Sequence, residues 1–302
     1  MDLFQHPSQV LESWHHPVFK EKEIEVKIVR GDLFHPWIQG NKWYKLRHYA
    51  ESAKKTDAEG FISIGGPWSN HLLALAAYAK DAGLSCRFFI RGDESEWRDH
   101  PPIRQLRHWN VDLIPVQRSV FRQITSGQIS ISEPGNDHKN HIFVPLGASS
   151  AQAVTHVADW ASELLGLWDF SDLALAVASG GSIAGMRAGL PPNRKVHGVD
   201  VLGSGGKLRE TVADLLSGFP ENLPAGICWH WQYDGGGFAR KDPASEPFRQ
   251  HFESETGIPT EHVYIGKVLF AVSDLASKGH FSPGSKILVI HNGGIFNWNS
   301  MD

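Results

Sequence analysis

Short apolar runs that stop at glycine recur along this chain, separated by stretches whose apolar residues return every three or four positions. Residues 60–64 (GFISI) run into Gly65-Gly66, and an Ala/Leu-rich stretch follows Ser69-Asn70 as far as Lys80. There Leu72, Leu75, Ala76 and Ala79 recur at helical spacing, and Ser69 or Asn70 is placed to cap the helix. Residues 85–91 (SCRFFIR) and 111–116 (VDLIPV) read as the next strands, and the polar segment 127–141 as an exposed connection. Beyond Gly147 the pattern resumes: residues 151–165 are helical, with Val154, Val157, Ala158 and Ala161 on one side. Residues 173–178 (LALAVA) form a buried strand that meets Ser179-Gly180-Gly181-Ser182, and 195–202 and 286–291 are two more strands. The N-terminal segment reads as an irregular arm anchored by Trp14 and Val18. Strands apolar on both faces, alternating with helices, predict an α/β protein with parallel sheets covered by helices.

A length of 302 residues with 41% hydrophobic content supplies core for one large domain or two closely joined ones. A net charge of -4 with mixed signs argues against nucleic acid or a membrane surface as partner. Cys86 and Cys228 form no C-x-x-C pair or disulfide framework, which fits a reducing cytoplasm. The first ten residues lack a basic region followed by an apolar run, so no signal peptide is expected, and no apolar stretch is long enough to span a bilayer.

Glycine pairs mark three strand ends: Gly65-Gly66, Gly180-Gly181 and Gly293-Gly294. Such turns let backbone approach a ligand closely at the carboxyl end of a sheet. Ser179-Gly180-Gly181-Ser182, ahead of a helix, offers free N–H groups and two hydroxyls at a positive helix end, which is a phosphate cradle. Nucleotide fingerprints fail. Residues 203–208 (GSGGKL) lack both the last glycine of G-x-G-x-x-G and the Lys-Ser/Thr pair of a P-loop. A nicotinamide-dependent dehydrogenase is thereby disfavoured. There is no G-x-S-x-G elbow and no H-E-x-x-H. The 17 histidines are scattered, with His15-His16 and the His138/His141 pair in polar segments, and no metal site is expected.

Five segments in order resemble the D-cysteine desulfhydrase and 1-aminocyclopropane-1-carboxylate deaminase family of pyridoxal 5′-phosphate (PLP) enzymes. They are residues 40–46 (GNKWYKL), 63–71 (SIGGPWSNH), 178–185 (ASGGSIAG), 263–267 (VYIGK) and 291–294 (HNGG). The resemblance implies a two-domain, tryptophan synthase β-like (fold-type II) architecture. A smaller domain, 46–144, would be inserted into a larger PLP-binding one, 1–45 with 145–302. It implies Lys42 as the lysine that bonds to the cofactor aldehyde and shuttles protons, with Lys45 a fallback that the resemblance does not support. It further implies Asn70 at the phenolic oxygen, Ser179, Gly180, Gly181 and Ser182 at the phosphate, and Ser69 and Tyr264 as catalytic groups beside a small amino-acid substrate. A homodimer is a family-level expectation.

The chain also departs from that family. The deaminase branch has Glu after the tyrosine, near the cofactor ring nitrogen, where this chain has Ile265. The desulfhydrase branch has Thr before the closing glycines, where Asn292 stands here and offers a neutral amide. Tyr44 replaces a usual Arg, and Phe238 stands where relatives often have a second tyrosine. A nearby carboxylate favours a protonated pyridine and a hydrocarbon does not. The expectation is therefore a PLP-dependent lyase or deaminase favouring β-elimination, D-cysteine desulfhydrase-like, giving a keto acid and ammonia. Alternatives are a 1-aminocyclopropane-1-carboxylate deaminase-like hydrolase and a PLP-binding protein without turnover.

Overall fold

The computed structural model describes residues 10–129, 140–219, 223–237, 239–296 and 298. Among them the strands are β1 (Leu11–Ser13), β2 (Glu25–Arg30), β3 (Gly60–Gly65), β4 (Ser85–Arg91), β5 (Asp112–Val116) and β6 (His141–Val144), then β7 (Asp172–Val177), β8 (Lys195–Asp200), β9 (Ile227–His230) and β10 (Lys286–His291). They form a six-stranded sheet in the order β1-β2-β10-β7-β8-β9 and a four-stranded sheet in the order β5-β4-β3-β6. Every strand pairing is parallel except β1 on β2. Parallel neighbours need crossovers, and helices supply them: Asn70–Ala82 between β3 and β4, and Gly181–Gly189 between β7 and β8.

Helix Asn70–Ala82 is buried more widely than one apolar stripe requires. Every residue from His71 to Ala79 is buried, because its alanines let neighbours approach on all sides. From residue 10 onward the N-terminal arm is not irregular. Its residues pair as β1 and coil into a short helix, Pro17–Glu21, while Trp14 meets Phe19 and Phe252 edge-on at 4.7 and 5.2 Å. Val18 packs, partly buried, against the same cluster. The exposed connection expected over 127–141 lies mostly outside the described residues, and its last residue, His141, opens β6.

One apolar cluster runs without a break from Leu173, Leu175 and Leu288 of the larger sheet, through helix Ala151–Leu167, to Phe61, Phe88 and Ile90 of the smaller. A second covers the opposite face of the larger sheet, under helices Ser245–Thr256 and Ile265–Ser277. Residues 45 and 46, where the smaller domain is expected to begin, lie inside helix Asn41–Thr56, where Tyr44 stacks on Trp160 at 4.7 Å and 7°. Among the described residues no helix is long and apolar enough to cross a membrane.

Candidate active site

Turns after β3, β7 and β10 meet the start of helix Asn41–Thr56 around a cavity of about 390 Å³. Lys42, Ser69, Asn70, Ser179, Gly180, Ser182, Tyr264 and Asn292 all line it. That volume is of the size that takes a small ligand, roughly 300–1,000 Å³.

Gly40 makes the close approach at Lys42 possible. Its φ is +54°, and a Cβ there would lie 2.3 Å from the Asn292 carbonyl oxygen. Helix Asn41–Thr56 therefore starts flush against the loop after β10. Lys42 Nζ donates to Asn41 Oδ1 at 3.1 Å, and Asn41 Nδ2 donates to Ser182 Oγ at 2.6 Å. This links the lysine to the glycine-serine loop after β7. Burial pushes the Lys42 amine down to about 8, so its neutral form becomes available at a lower pH than for an ordinary lysine.

The loop after β7 turns at Gly180 (φ +80°) into helix Gly181–Gly189, leaving that helix's first N–H groups for an anion. A Cβ on Gly181 would sit 2.7 Å from Ser149 Oγ and 2.9 Å from Lys45 Nζ. Lys45 is almost fully buried. Its Nζ donates to the Gly147 carbonyl at 3.1 Å and to Ser149 Oγ at 2.8 Å, and Ser149 Oγ bonds Ser179 Oγ at 2.8 Å. Burial and the like charge of Lys42 both depress its amine. A phosphate on this loop would relieve that penalty, because it places a negative charge beside a desolvated ammonium.

Ser69 occupies the N-cap position of helix Asn70–Ala82, yet its hydroxyl does not cap the backbone. It bonds His71 Nδ1 at 2.7 Å instead. Ser63 Oγ donates to the Val144 carbonyl at 2.7 Å, leaving its lone pairs to accept from His71 Nε2 at 3.2 Å. The His71 ring is neutral, because burial and then Lys42 and Lys45 hold its pKa well down. With its proton on Nε2, Nδ1 is an acceptor and the Ser69 hydroxyl donates to it. The Ser69 oxygen thus faces the cavity with its lone pairs free of its own proton.

Gly294, at φ +88°, exists for Asn70: a Cβ there would meet Asn70 Nδ2 at 2.6 Å. Gln39 pins this loop, accepting from the Gly294 and Ile295 N–H groups at 2.8 and 3.0 Å and donating to the Ile295 carbonyl at 2.8 Å. Tyr264 precedes helix Ile265–Ser277, and burial with the Glu261 carboxylate raises its phenol above the usual range. Glu261 is anchored by the N–H groups of Val263, Tyr264 and Ile265. The Ile265 side chain is 1% exposed and packs in the core beneath the larger sheet. Tyr44 likewise points into protein, donating to Glu163 Oε2 at 2.8 Å. Phe238 lies outside the described residues.

These residues fit PLP. Asn292 Oδ1 is buried in the cavity wall without a hydrogen-bond partner, although amide O and N are interchangeable by a flip. A polar ring atom is the partner such a group needs. Lys42 can hold the aldehyde carbon, Asn70 the phenolic oxygen, and the 179–182 loop with Lys45 nearby the phosphate.

Sequence reading named Lys45 only as a fallback for Lys42 and gave His71, Gln39 and Arg91 no role. Lys45 follows Lys42 at i+3 and so shares its helix face, a spacing that signals its place. His71 and Gln39 act through contacts made by the fold, and no local pattern marks them. Arg91, beside the Phe121 ring at 5.5 Å, lines the cavity and is an isolated strand-end residue in sequence.

Glycine-turned loops at the carboxyl ends of parallel strands, with a depressed lysine facing an anion cradle, define a site for a phosphorylated aldehyde cofactor. A family model described as "Pyridoxal-phosphate dependent enzyme" matches residues 20–293, and the chain belongs to that family. Its cofactor is PLP. The chain is 28% identical, over 84% of its length and 82% of the relative's, to a 1-aminocyclopropane-1-carboxylate deaminase of Rhizobium radiobacter. It is 25% identical to a bifunctional D-cysteine desulfhydrase/1-aminocyclopropane-1-carboxylate deaminase of Arabidopsis thaliana, over 92% of this chain and 78% of that one. The crystal structure of an ACC deaminase homologue superposes with a TM-score of 0.82 at 22% identity, covering 98% of this chain and 91% of that one. A hydrogen sulfide-producing enzyme of Fusobacterium nucleatum shares the fold at 0.69 and 14% identity, over 97% and 96%. These likenesses place the α/β, tryptophan synthase β-like architecture.

Proposed function

We propose that this enzyme is a lyase or deaminase of a small amino acid, with β-elimination of the D-cysteine desulfhydrase kind as its favoured reaction. The observation that carries the reading is the convergence of Lys42, Ser69 with His71, and Tyr264 on one cavity. PLP, when bound, supplies an electron sink that acidifies the substrate's α-C–H bond. Lys42 Nζ, depressed to about 8, is suited to take that proton once freed by the substrate amine. The Ser69 oxygen, its own proton held by His71, accepts from the substrate ammonium or anchors the carboxylate through a bridging water. Tyr264, protonated across the working range, can donate to a departing thiol or thiolate. The released unsaturated amine hydrolyses to a keto acid and ammonia.

Asn292 gives the ring nitrogen a neutral hydrogen-bond partner, and Ile265 supplies no carboxylate there. That favours elimination, where the leaving group carries charge away, over cyclopropane ring opening. The reading assigns residues 46–144, with Ser69 and Asn70, to a smaller domain that meets the larger one, 1–45 and 145–302, across the cofactor. It also includes a cytoplasmic homodimer. Two free cysteines are consistent with the compartment, and the dimer rests on the family resemblance.

A panel of small D- and L-amino acids, with β-chloroalanine and 1-aminocyclopropane-1-carboxylate, tests this through keto-acid release by the purified enzyme. D-Cysteine or β-chloroalanine is expected to react fastest. A fastest rate with the cyclopropane substrate would overturn the reaction assignment. A yellow protein that releases keto acid from none would be a carrier without turnover.

A further inference from the structure

Away from the PLP cavity, three histidines meet at the edge of the larger sheet. His197 lies on β8, His230 ends the edge strand β9, and His280 follows helix Ile265–Ser277. His197 Nδ1 and His230 Nε2 are 3.0 Å apart, with the rings stacked at 12°. The His280 ring stands edge-on to both, its centroid 5.5 Å from one and 5.4 Å from the other. One nitrogen from each ring lies within 4.8 Å of the other two. On the far side of His197, Nε2 is 2.8 Å from Asp172 Oδ1. Phe281 closes one flank, its ring 5.3 Å from that of His197.

We propose that His197, His230 and His280 bind one divalent transition-metal cation of the zinc class. Three features support this over a plain hydrogen-bonded chain. Tetrahedral zinc with bonds of about 2.0–2.1 Å holds its nitrogens roughly 3.4 Å apart. The buried pair already stands near that spacing, and the exposed His280 is the one ligand that must close in. A buried carboxylate behind one histidine fixes its tautomer: Asp172 accepts from Nε2–H, which leaves Nδ1 as a lone-pair donor. His230 becomes a ligand by moving its single ring proton from Nε2 to Nδ1, with no net proton release. Lys195 faces the cluster and opposes a cation, while Asp172 favours one. Exposure of His280 leaves a fourth position for water. A metal here would clamp the edge strand β9 and the turn after helix Ile265–Ser277 to β8.

The test uses tag-free holoenzyme stripped with a chelator and titrated with zinc chloride by calorimetry, beside His280→Ala and Asp172→Asn. His280 is exposed, so its substitution leaves the fold intact. One zinc per chain is expected for the wild type, with affinity at least about tenfold lower in each variant. Zinc should raise the thermal midpoint of the wild type and not that of His280→Ala, while the PLP absorbance stays unchanged. A wild-type chain that takes up no zinc would overturn the proposal. So would a titration identical in wild type and His280→Ala, which would put the bound metal elsewhere.

Discussion

At the scale of single residues, Lys42 is set apart by where its amine sits. Burial brings it down to about 8 from an ordinary lysine value near 10.5. Below about 8 the amine is protonated and cannot attack the cofactor aldehyde; above it the neutral form dominates. Reconstitution of apoprotein, followed by stopped-flow absorbance, should therefore speed up with pH through about 8 and level off above it. A rate still climbing toward pH 10 would mean an ordinary lysine. The Ser69–His71 pair makes a second test. Groups that act as one unit are not additive. Ser69→Ala should lower kcat by roughly 10²-fold, His71→Ala by a comparable factor, and the double variant by no more than Ser69→Ala. Additive losses would dissociate the two side chains. Lys42 and Ser69 were legible in sequence because they stand in a distinctive run of neighbours. His71 was printed beside them, but its role depends on Ser63 and the Val144 carbonyl, and Val144 lies 81 positions from Ser63 in the chain.

Among elements, the strands ending in glycine were the most readable, because runs such as LALAVA are apolar on both faces and stop at a turn. β2 was overlooked. It begins in a charged stretch, and Glu25 and Lys27 alternate with Val26 and Ile28, so the apolar run is short. β1 was hidden in the N-terminal arm, because a three-residue strand pairing with β2 has no periodicity to read. The glycines after β10 show how elements place chemistry. Gly294 must keep φ +88° and leave room for Asn70 Nδ2. Gly294→Ala should add strain of about 1–3 kcal/mol and displace the Asn70 amide. Retention of PLP through dialysis should fall about tenfold or more, with helix content by circular dichroism preserved. Unchanged retention would show that Asn70 does not hold the cofactor.

For the whole molecule, one continuous apolar cluster joins the two sheets, which explains why composition marked no linker between them. What the chain separates, the fold collects: Lys42, Ser69, Ser182, Tyr264 and Asn292, spread over 250 positions, face one cavity. Sequence order gave their neighbourhood only through the resemblance, since no local pattern encodes which strand ends will converge. The central claim is that this cavity holds PLP on Lys42. Borohydride reduction of the purified holoenzyme, followed by peptide mass mapping, tests it directly. The pyridoxyl mass is expected on the peptide carrying Lys42 and to disappear with Lys42→Ala. Its recovery on Lys45 or Lys267, or on no lysine of a protein that retains the cofactor, would contradict that claim.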